Sequence, residues 1–416
     1  MQFRTVVYVL FAIFGYATMA TAGDNWPEFR GPSMQGVSDS TGLPIKWSET
    51  ENIAWKTKIE GRGWSTPVIW GKQVWMTTAT EDGKQMFAVC VDADNGKMLR
   101  YQKVFDVADP QPIIALNSYA SPSPVIEEGR VYVHFGTYGT ACLDTDSGKM
   151  LWQRRDINCD HYRGPGSSPI AFRDLLIFHM DGIDVQYVIA LDRATGETVW
   201  KTSRSIDYSP HDPDLRKAYS TPLVVNVDGS DMLVTTAAKA AFGYDPATGK
   251  ELWFVRYNGY SNTSRPACDD THMYLNSGFG KADLLAIPLT ARGEIGAEQI
   301  RWQFGKGVST KPSKIVANGR IYFVADKGGV LTCLDAKSGE SLWMARLGGN
   351  FSASPLLAEG RIYFSSHEGV TTVIEEGPKF KRLAENTLDD GFMSSPAVSG
   401  RALFLRTRSH LYRIEE

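Results

Sequence analysis

The chain has little cysteine. Five residues, Cys90, Cys142, Cys159, Cys268 and Cys333, are spread over 416 positions. An odd number at wide spacing is not a disulfide framework. Cys90, Cys142 and Cys333 each precede an apolar-Asp step (CVD, CLD, CLD). Such equivalent positions read as small buried apolar residues, ~10 Å apart in neighbouring sheets and beyond the ~7 Å a bridge allows. No block of five basic residues occurs and the net charge is −3, which excludes nucleic acid as a partner. No stretch carries apolar residues at helical spacing. Missing too are His-Glu-x-x-His, Gly-x-Ser-x-Gly and a phosphate loop; GFGKA (278–282) is too short for one and has no helix after it.

Past the N-terminus there is also no long apolar run. MQFR, the stretch TVVYVLFAIFGYATM and Ala20-Thr21-Ala22 together predict a secretory signal over residues 1–22. The run falls short of the ~20 residues that span a bilayer. The expected product is periplasmic or secreted, with no integral membrane segment after cleavage, and monomeric.

What the chain does have is aromatic residues, at 11% with eleven Trp, and 39 Gly. That mix suits short strands joined by tight turns. LDTDSGKMLW (143–152), LDRATGETVW (191–200), YDPATGKELW (244–253) and LDAKSGESLW (334–343) are near copies. Each closes a longer unit: Ser/Thr-Pro, an apolar strand, a turn, an alternating strand such as VYVHF, a Gly turn, a strand ending in Asp, a tight turn, then Trp. That is four strands per repeat. In the tight turn, Asp caps through its side chain and Gly takes the positive φ. Two copies, from Asp92 and Asp144, resemble the start of a calcium loop. Position twelve, which calcium needs as Glu, is Lys103 or Arg155, so both read as hairpin turns.

Trp55, Trp152, Trp200, Trp253, Trp302 and Trp343 should fill the wedges between adjacent sheets. Pro67, Pro122, Pro169, Pro222, Pro266, Pro312, Pro355 and Pro396 mark eight inner strands, where Pro is tolerated at an edge. The last repeat supplies only three strands, and IAWKTKI (53–59) is a spare outer strand. The expectation is an all-β, eight-bladed propeller of four-stranded antiparallel blades over 53–416, closed by this N-terminal strand in the C-terminal blade, with an extended leader over 23–52.

The Ser-Pro, VYV and LDxxTGxxLW grammar resembles the quinoprotein-type (PQQ-like) propeller repeat across residues 53–416, and NWPEFRGPSMQGVS (25–38) is similar to the leader of exported propellers of this kind. The family includes quinone-dependent alcohol dehydrogenases and the non-catalytic propeller of the outer-membrane barrel-assembly machinery. Fold alone does not choose between them. The resemblance to the enzymes implies two adjacent cysteines, a calcium held by Glu, Asn and Asp, a base Asp and a Trp floor. This chain has no Cys-Cys pair, and the calcium set matches no stretch of it. The departures count against PQQ and calcium, so no cofactor is expected. The leading reading is a non-catalytic propeller binding a protein, glycan or small anion at the mouth of its channel. A quinoprotein-like alcohol or sugar dehydrogenase is the alternative.

Loops entering the inner strands carry the unusual residues, and such loops on a rigid scaffold are where ligands bind. The 205–222 connection is long for a structureless loop. The residue before each inner-strand Pro is Thr66, Ser121, Ser168, Thr221, Arg265, Lys311, Ser354 or Ser395. Two cations in consecutive blades, Arg265 and Lys311, could form an anion site facing the channel, with Asp212 and Asp160 as the nearest loop acids; the alternative is that both point to solvent. Tyr119, His161, Arg163, His211, Asp212 and Asn350 complete the candidate ligand-binding set.

Overall fold

A computed structural model describes residues 25–416. The predicted signal segment, 1–22, lies outside the described residues. Eight sheets follow one another around a ring. Blade one holds Val68–Trp70, Gln73–Ala79, Gln85–Asp92 and Met98–Asp106, in that order from the axis outward. Blade eight is built from Ala397–Ser399, Ala402–Arg406 and His410–Ile414, and its outer strand is Ile53–Lys58, paired antiparallel with Ile53 opposite Ile414. The ring is thus closed as expected, and closure leaves no open sheet edge between first and last blade. Among the described residues, no helix is long and apolar enough to cross a membrane.

The strand pattern follows from position. In blade two, Arg130–His134 and Thr140–Asp144 face neighbouring blades on both sides and are buried almost throughout, whereas the outer Met150–Arg154 alternates between half-buried and exposed. The core is accordingly a series of layers between blades. One layer joins Trp75 and Cys90 of blade one to Ile126 and Val133 of blade two.

The repeated tight turn does two jobs. In 92–96, the Asp92 carboxylate accepts the N–H groups of Asp94 and Asn95 at 2.9 and 3.1 Å, and Gly96 sits at φ 72°. The indole of Trp55, from the preceding blade, lies over that glycine and donates its N–H to the Ala93 carbonyl at 2.9 Å. Trp152, Trp200 and Trp302 repeat the contact on the turns of blades three, four and six. The glycine therefore provides both the left-handed conformation and the flat surface on which the next indole rests.

Blade five departs from the repeat. Its tight turn is replaced by a longer excursion whose Gly293–Ile295 adds a parallel fifth strand to blade four, beside Trp253. With no turn carbonyl in reach, the Trp253 indole N–H meets the Met232 sulfur at 3.0 Å.

The leader is a strap across one end of the channel. Trp26 pairs with Ile69 of blade one, and the Pro27 carbonyl accepts the Ile126 N–H of blade two. Glu28 accepts the Ala171 N–H of blade three at 3.3 Å, and the Phe29 carbonyl accepts from Arg265 of blade five at 2.6 Å. Arg30 donates to the Lys314 and Pro355 carbonyls of blades six and seven. Val37–Ser38 then lies parallel to Leu356–Ala358. Contacts with blades on opposite sides of the ring mean that the strap passes over the axis.

Candidate functional site: the channel and its hydroxyl ring

The channel above the strap is a cavity of about 780 Å³, with Phe29 among its lining residues. Two residues before each innermost strand stand Thr66, Ser123, Ser168, Thr221, Arg265, Ser313, Ser354 and Ser395. Seven hydroxyls and one cation therefore occupy equivalent places. Backbone N–H groups link them from blade to blade. Thr66 donates to the Ser123 hydroxyl at 2.9 Å, Ser123 to Ser168 at 2.9 Å and Ser168 to Thr221 at 3.1 Å. After Arg265 the chain of bonds resumes: Arg265 to Ser313 at 3.0 Å, Ser313 to Ser354 at 2.9 Å and Ser354 to Ser395 at 2.9 Å.

This ring corrects the proline register. Pro122 and Pro312 stand two residues early in blades two and six. Pro124 takes the position next to the strand in blade two, and Lys314 takes it in blade six. Lys311 is thus not the counterpart of Arg265.

The two predicted cations also have separate surroundings. Lys311 lines the cavity and pairs with Asp326 at 3.3 Å. Arg265 is fully buried and is not part of the lining. Its Nε donates to the Pro222 carbonyl at 2.8 Å, and its Nη2 stands 3.9 Å from the carboxylate of Glu28. Neither partner acid is Asp212 or Asp160. Arg265 is drawn into the floor because the Phe29 carbonyl of the leader accepts from it there and Glu28 supplies a counter-charge.

Burial dominates both members of the floor pair. It pushes Glu28 up to about 7 against the pull of Arg265, and it lowers Arg265 to about 10 against the pull of Glu28. Beside them, burial and the charge of Arg265 lower Arg30 to about 9, while burial and the charge of Arg30 depress Lys314 well below an ordinary lysine. Lys314 donates to the carbonyls of Arg265 and Tyr274 at 2.9 and 3.2 Å.

Of the remaining predicted residues, Arg163 lines the cavity and pairs with Asp214 at 3.3 Å. The others do not line it. Tyr119 is buried and donates to the Gln111 carbonyl at 3.0 Å. His161 is buried, accepts the Thr137 N–H at Nε2 and touches the Cys159 sulfur through Nδ1 at 3.4 Å; burial holds it down to about 4, so it is neutral at pH 7. The His211 carbonyl receives Arg216, Asp212 caps the short turn Pro213–Leu215, and the Asn350 amide donates to Glu368. These bonds brace loops away from the cavity.

Sequence reading missed Lys217, Asp214 and the aromatic wall. Asp214, Lys217 and Tyr219 sit in the long 205–222 connection, and Tyr260 in the loop entering the next inner strand. Trp64 and Phe279 lie where the sequence carries no signal. The Lys217 side chain is 1% exposed, bonds Asp214, and lies 5.2 and 5.4 Å from the ring centres of Tyr162 and Tyr260. Burial lowers its pKa against the pull of Asp214. Burial raises Asp214, but Lys217 and Arg163 together hold it below an ordinary carboxylate. Trp64, Tyr219, Tyr260 and Phe279 supply the apolar faces, and Lys327 adds a cation with no side-chain partner among the described residues. Four cations, Arg163, Lys217, Lys311 and Lys327, thus face two acids, Asp214 and Asp326.

Residues 35–155 and 184–416 match the family model described as outer membrane protein assembly factor BamB. The chain belongs to this family of PQQ-like propellers. It is 21% identical over 259 residues to tetrathionate hydrolase from Acidithiobacillus ferrooxidans, an alignment covering 54% of this chain and 48% of that protein. The chain therefore spans about half the length of that curated relative. BamB from Moraxella catarrhalis superposes with a TM-score of 0.61 at 12% identity, covering 88% of this chain and 99% of that one. A quinohemoprotein alcohol dehydrogenase from Pseudomonas putida HK5 gives 0.67 at 12% identity, covering 95% and 80%. These likenesses establish the propeller.

The lining does not fit a quinone with calcium. None of the five cysteines reaches the cavity, and both its carboxylates are tied to cations. Among the described residues, no three His, Cys, Asp or Glu side chains converge as a metal site requires.

Proposed function

We propose that this chain is an exported, monomeric, non-catalytic propeller that binds an anionic ligand, free or carried on a protein or glycan, in its channel mouth. The observation that carries this reading is a cavity floored by the leader strap, walled by aromatic rings and lined by four cations against two acids. A concave site with apolar faces and a few convergent polar groups is where ligands bind, and the excess positive charge selects anions. The signal-like pattern over residues 1–22 supports export.

Calorimetric titration of the purified protein with paired acidic and neutral oligosaccharides and peptides tests it. The acidic members should bind with 1:1 stoichiometry and weaken at high salt, and Lys311→Gln should weaken them further. Equal affinity for the neutral members contradicts the reading. Turnover of an alcohol panel on adding pyrroloquinoline quinone, calcium and an electron acceptor would support the dehydrogenase alternative instead. The donor set in the channel does not favour that alternative.

A further inference from the structure

The ring hydroxyls have unspent protons. A serine or threonine hydroxyl has one donor and two acceptor lone pairs. Ser123, Ser168, Thr221, Ser354 and Ser395 each accept a backbone N–H from the preceding blade and, among the described residues, donate to no protein acceptor. Among the described residues, Thr66 makes no hydrogen bond through its hydroxyl. All six are at most 7% exposed, and all six line the cavity. The N–H bonds hold the oxygens in place, and the open direction for each proton is the channel. Water meets this need when nothing else does.

A second observation concerns what lies behind the ring. Arg30, Arg265 and Lys314 are buried there with a single carboxylate, Glu28. Their side chains point at carbonyls, and Arg265 Nη2 is buried with no hydrogen-bond partner. Phe29 and the ring hydroxyls line the same cavity, and the Phe29 carbonyl accepts the side chain of Arg265, which occupies the eighth ring position. O–H donors lining the cavity in front of the buried guanidinium groups of Arg30 and Arg265 form a receptor for negative oxygen atoms.

We propose that the hydroxyl ring at the channel floor receives the oxyanion head of the ligand, a sulfate, sulfonate, phosphate or carboxylate group, while the aromatic and cationic mouth holds whatever that group is attached to. This rests on the reading that the channel is a binding site. It moves the anion's recognition from the mouth cations to the ring.

The test is calorimetric titration of the full-length mature protein at constant ionic strength. The probes are sodium sulfate, phosphate and acetate against sodium chloride, and glucose 6-sulfate against glucose. Sulfate, phosphate or acetate should bind saturably where chloride does not. Thr66→Val removes a proton donor with no protein hydrogen bond to lose. It should weaken oxyanion binding about tenfold, the loss of one hydrogen bond to a charged group, with the melting temperature unchanged. Glucose 6-sulfate binding more tightly than free sulfate identifies the oxyanion as part of a larger ligand; equal affinity identifies the free ion. Lys327→Gln should affect glucose 6-sulfate more than free sulfate.

No saturable oxyanion binding by the wild type, or binding indifferent to both Thr66→Val and Ser395→Ala, overturns the ring as receptor. Acidic peptides or glycans that still bind and still respond to Lys311→Gln would then leave the channel reading standing. Failure of every probe at the channel removes that reading too. Should Thr66→Val fail to fold, Ser395→Ala takes its place, and oxyanion binding indifferent to it overturns the proposal.

Discussion

The buried floor pair makes a prediction whose sign runs against intuition for an ion pair. Glu28 is 4% exposed, and its contact with Arg265 Nη2 is a loose 3.9 Å. Burial outweighs that attraction and lifts the carboxyl from 4.5 to about 7. The folded protein therefore keeps this proton over a range in which the unfolded chain has lost it. Where the native state binds more protons, stability falls as pH rises. The contribution of Glu28 is thus complete below pH 4.5 and declines until about pH 7. A shift of this size corresponds to about 3 kcal/mol.

Glu28→Gln removes the titration and keeps an oxygen to accept the Ala171 N–H. The observable is the difference in melting temperature, variant minus wild type, by calorimetry at pH 4.5 and pH 7.5. Taking a difference cancels the remaining groups, including His134 and His161. Burial depresses those to about 3 and about 4, so their stabilisation is lost as pH falls below the unfolded value of 6.5. With an unfolding entropy near 2.1 cal/mol/K per residue, a chain of this length has about 0.8 kcal/mol/K in all, so about 3 kcal/mol becomes about 4 °C. The variant should gain about 4 °C on the wild type between the two pH values. A difference that is flat with pH, or that moves against the variant as pH rises, would mean an ionised Glu28 in a favourable pair, and the reasoning from burial would be refuted.

Three further outcomes follow from the fold. Gly249 has φ +71° and a Cβ there would stand 2.5 Å from the Trp200 ring, whereas Gly229 has φ +82° with open space around it; Gly229→Ala should cost about 1 kcal/mol of conformational strain, and Gly249→Ala about 3 kcal/mol or more in chemical denaturation because the blade contact must also shift. Asp181 is buried between Arg204, at 2.7 Å, and His179, at 2.9 Å; Asp181→Ala should lose about 3–5 kcal/mol by the same assay, since it leaves a buried guanidinium without its counter-charge. All five cysteines are free thiols; reduction should leave the intact mass unchanged, and maleimide should label the native protein slowly, because burial pushes Cys90, Cys142 and Cys333 up to about 12 and Cys268 to about 11.

The ring, its closure and its turns were legible because they are local and repeated. An Asp cap, a positive-φ glycine four residues later and a Trp eight residues after the Asp recur at fixed spacing, so each copy supports the others. The channel was less legible, for reasons of register. Ser-Pro-Ser-Pro in blade two and Lys-Pro-Ser-Lys in blade six each put a proline two residues ahead of the equivalent place. A slip of two residues keeps a side chain on the same face of an extended chain and moves it about 6–7 Å along. Lys311 therefore still faces the channel, one pleat nearer the mouth, and its agreement with the prediction hid the misalignment.

The leader explains why the remaining cation turned away from the channel. Nothing in NWPEFRGP names its partners, because it bonds to strand ends throughout the ring, the farthest more than 300 positions away. Yet the ring's one missing hydroxyl falls where the Phe29 carbonyl arrives. A serine at position 265 could continue the ring from Thr221 but could not reach Phe29, Pro222 and Glu28 together. The guanidinium does, and in blade six Lys314 replaces the proline and reaches back to the Arg265 carbonyl. Two departures from the repeat in neighbouring blades thus share one cause: the strap must be fastened on the far side of the axis from where it enters at Trp26. Arg265→Ser should then loosen the strap rather than empty the mouth. Protease cleavage within residues 25–38 should quicken, while the strands of the eight blades keep their amide-exchange protection. Unchanged cleavage in that segment would show that the other bonds of the strap suffice without the guanidinium.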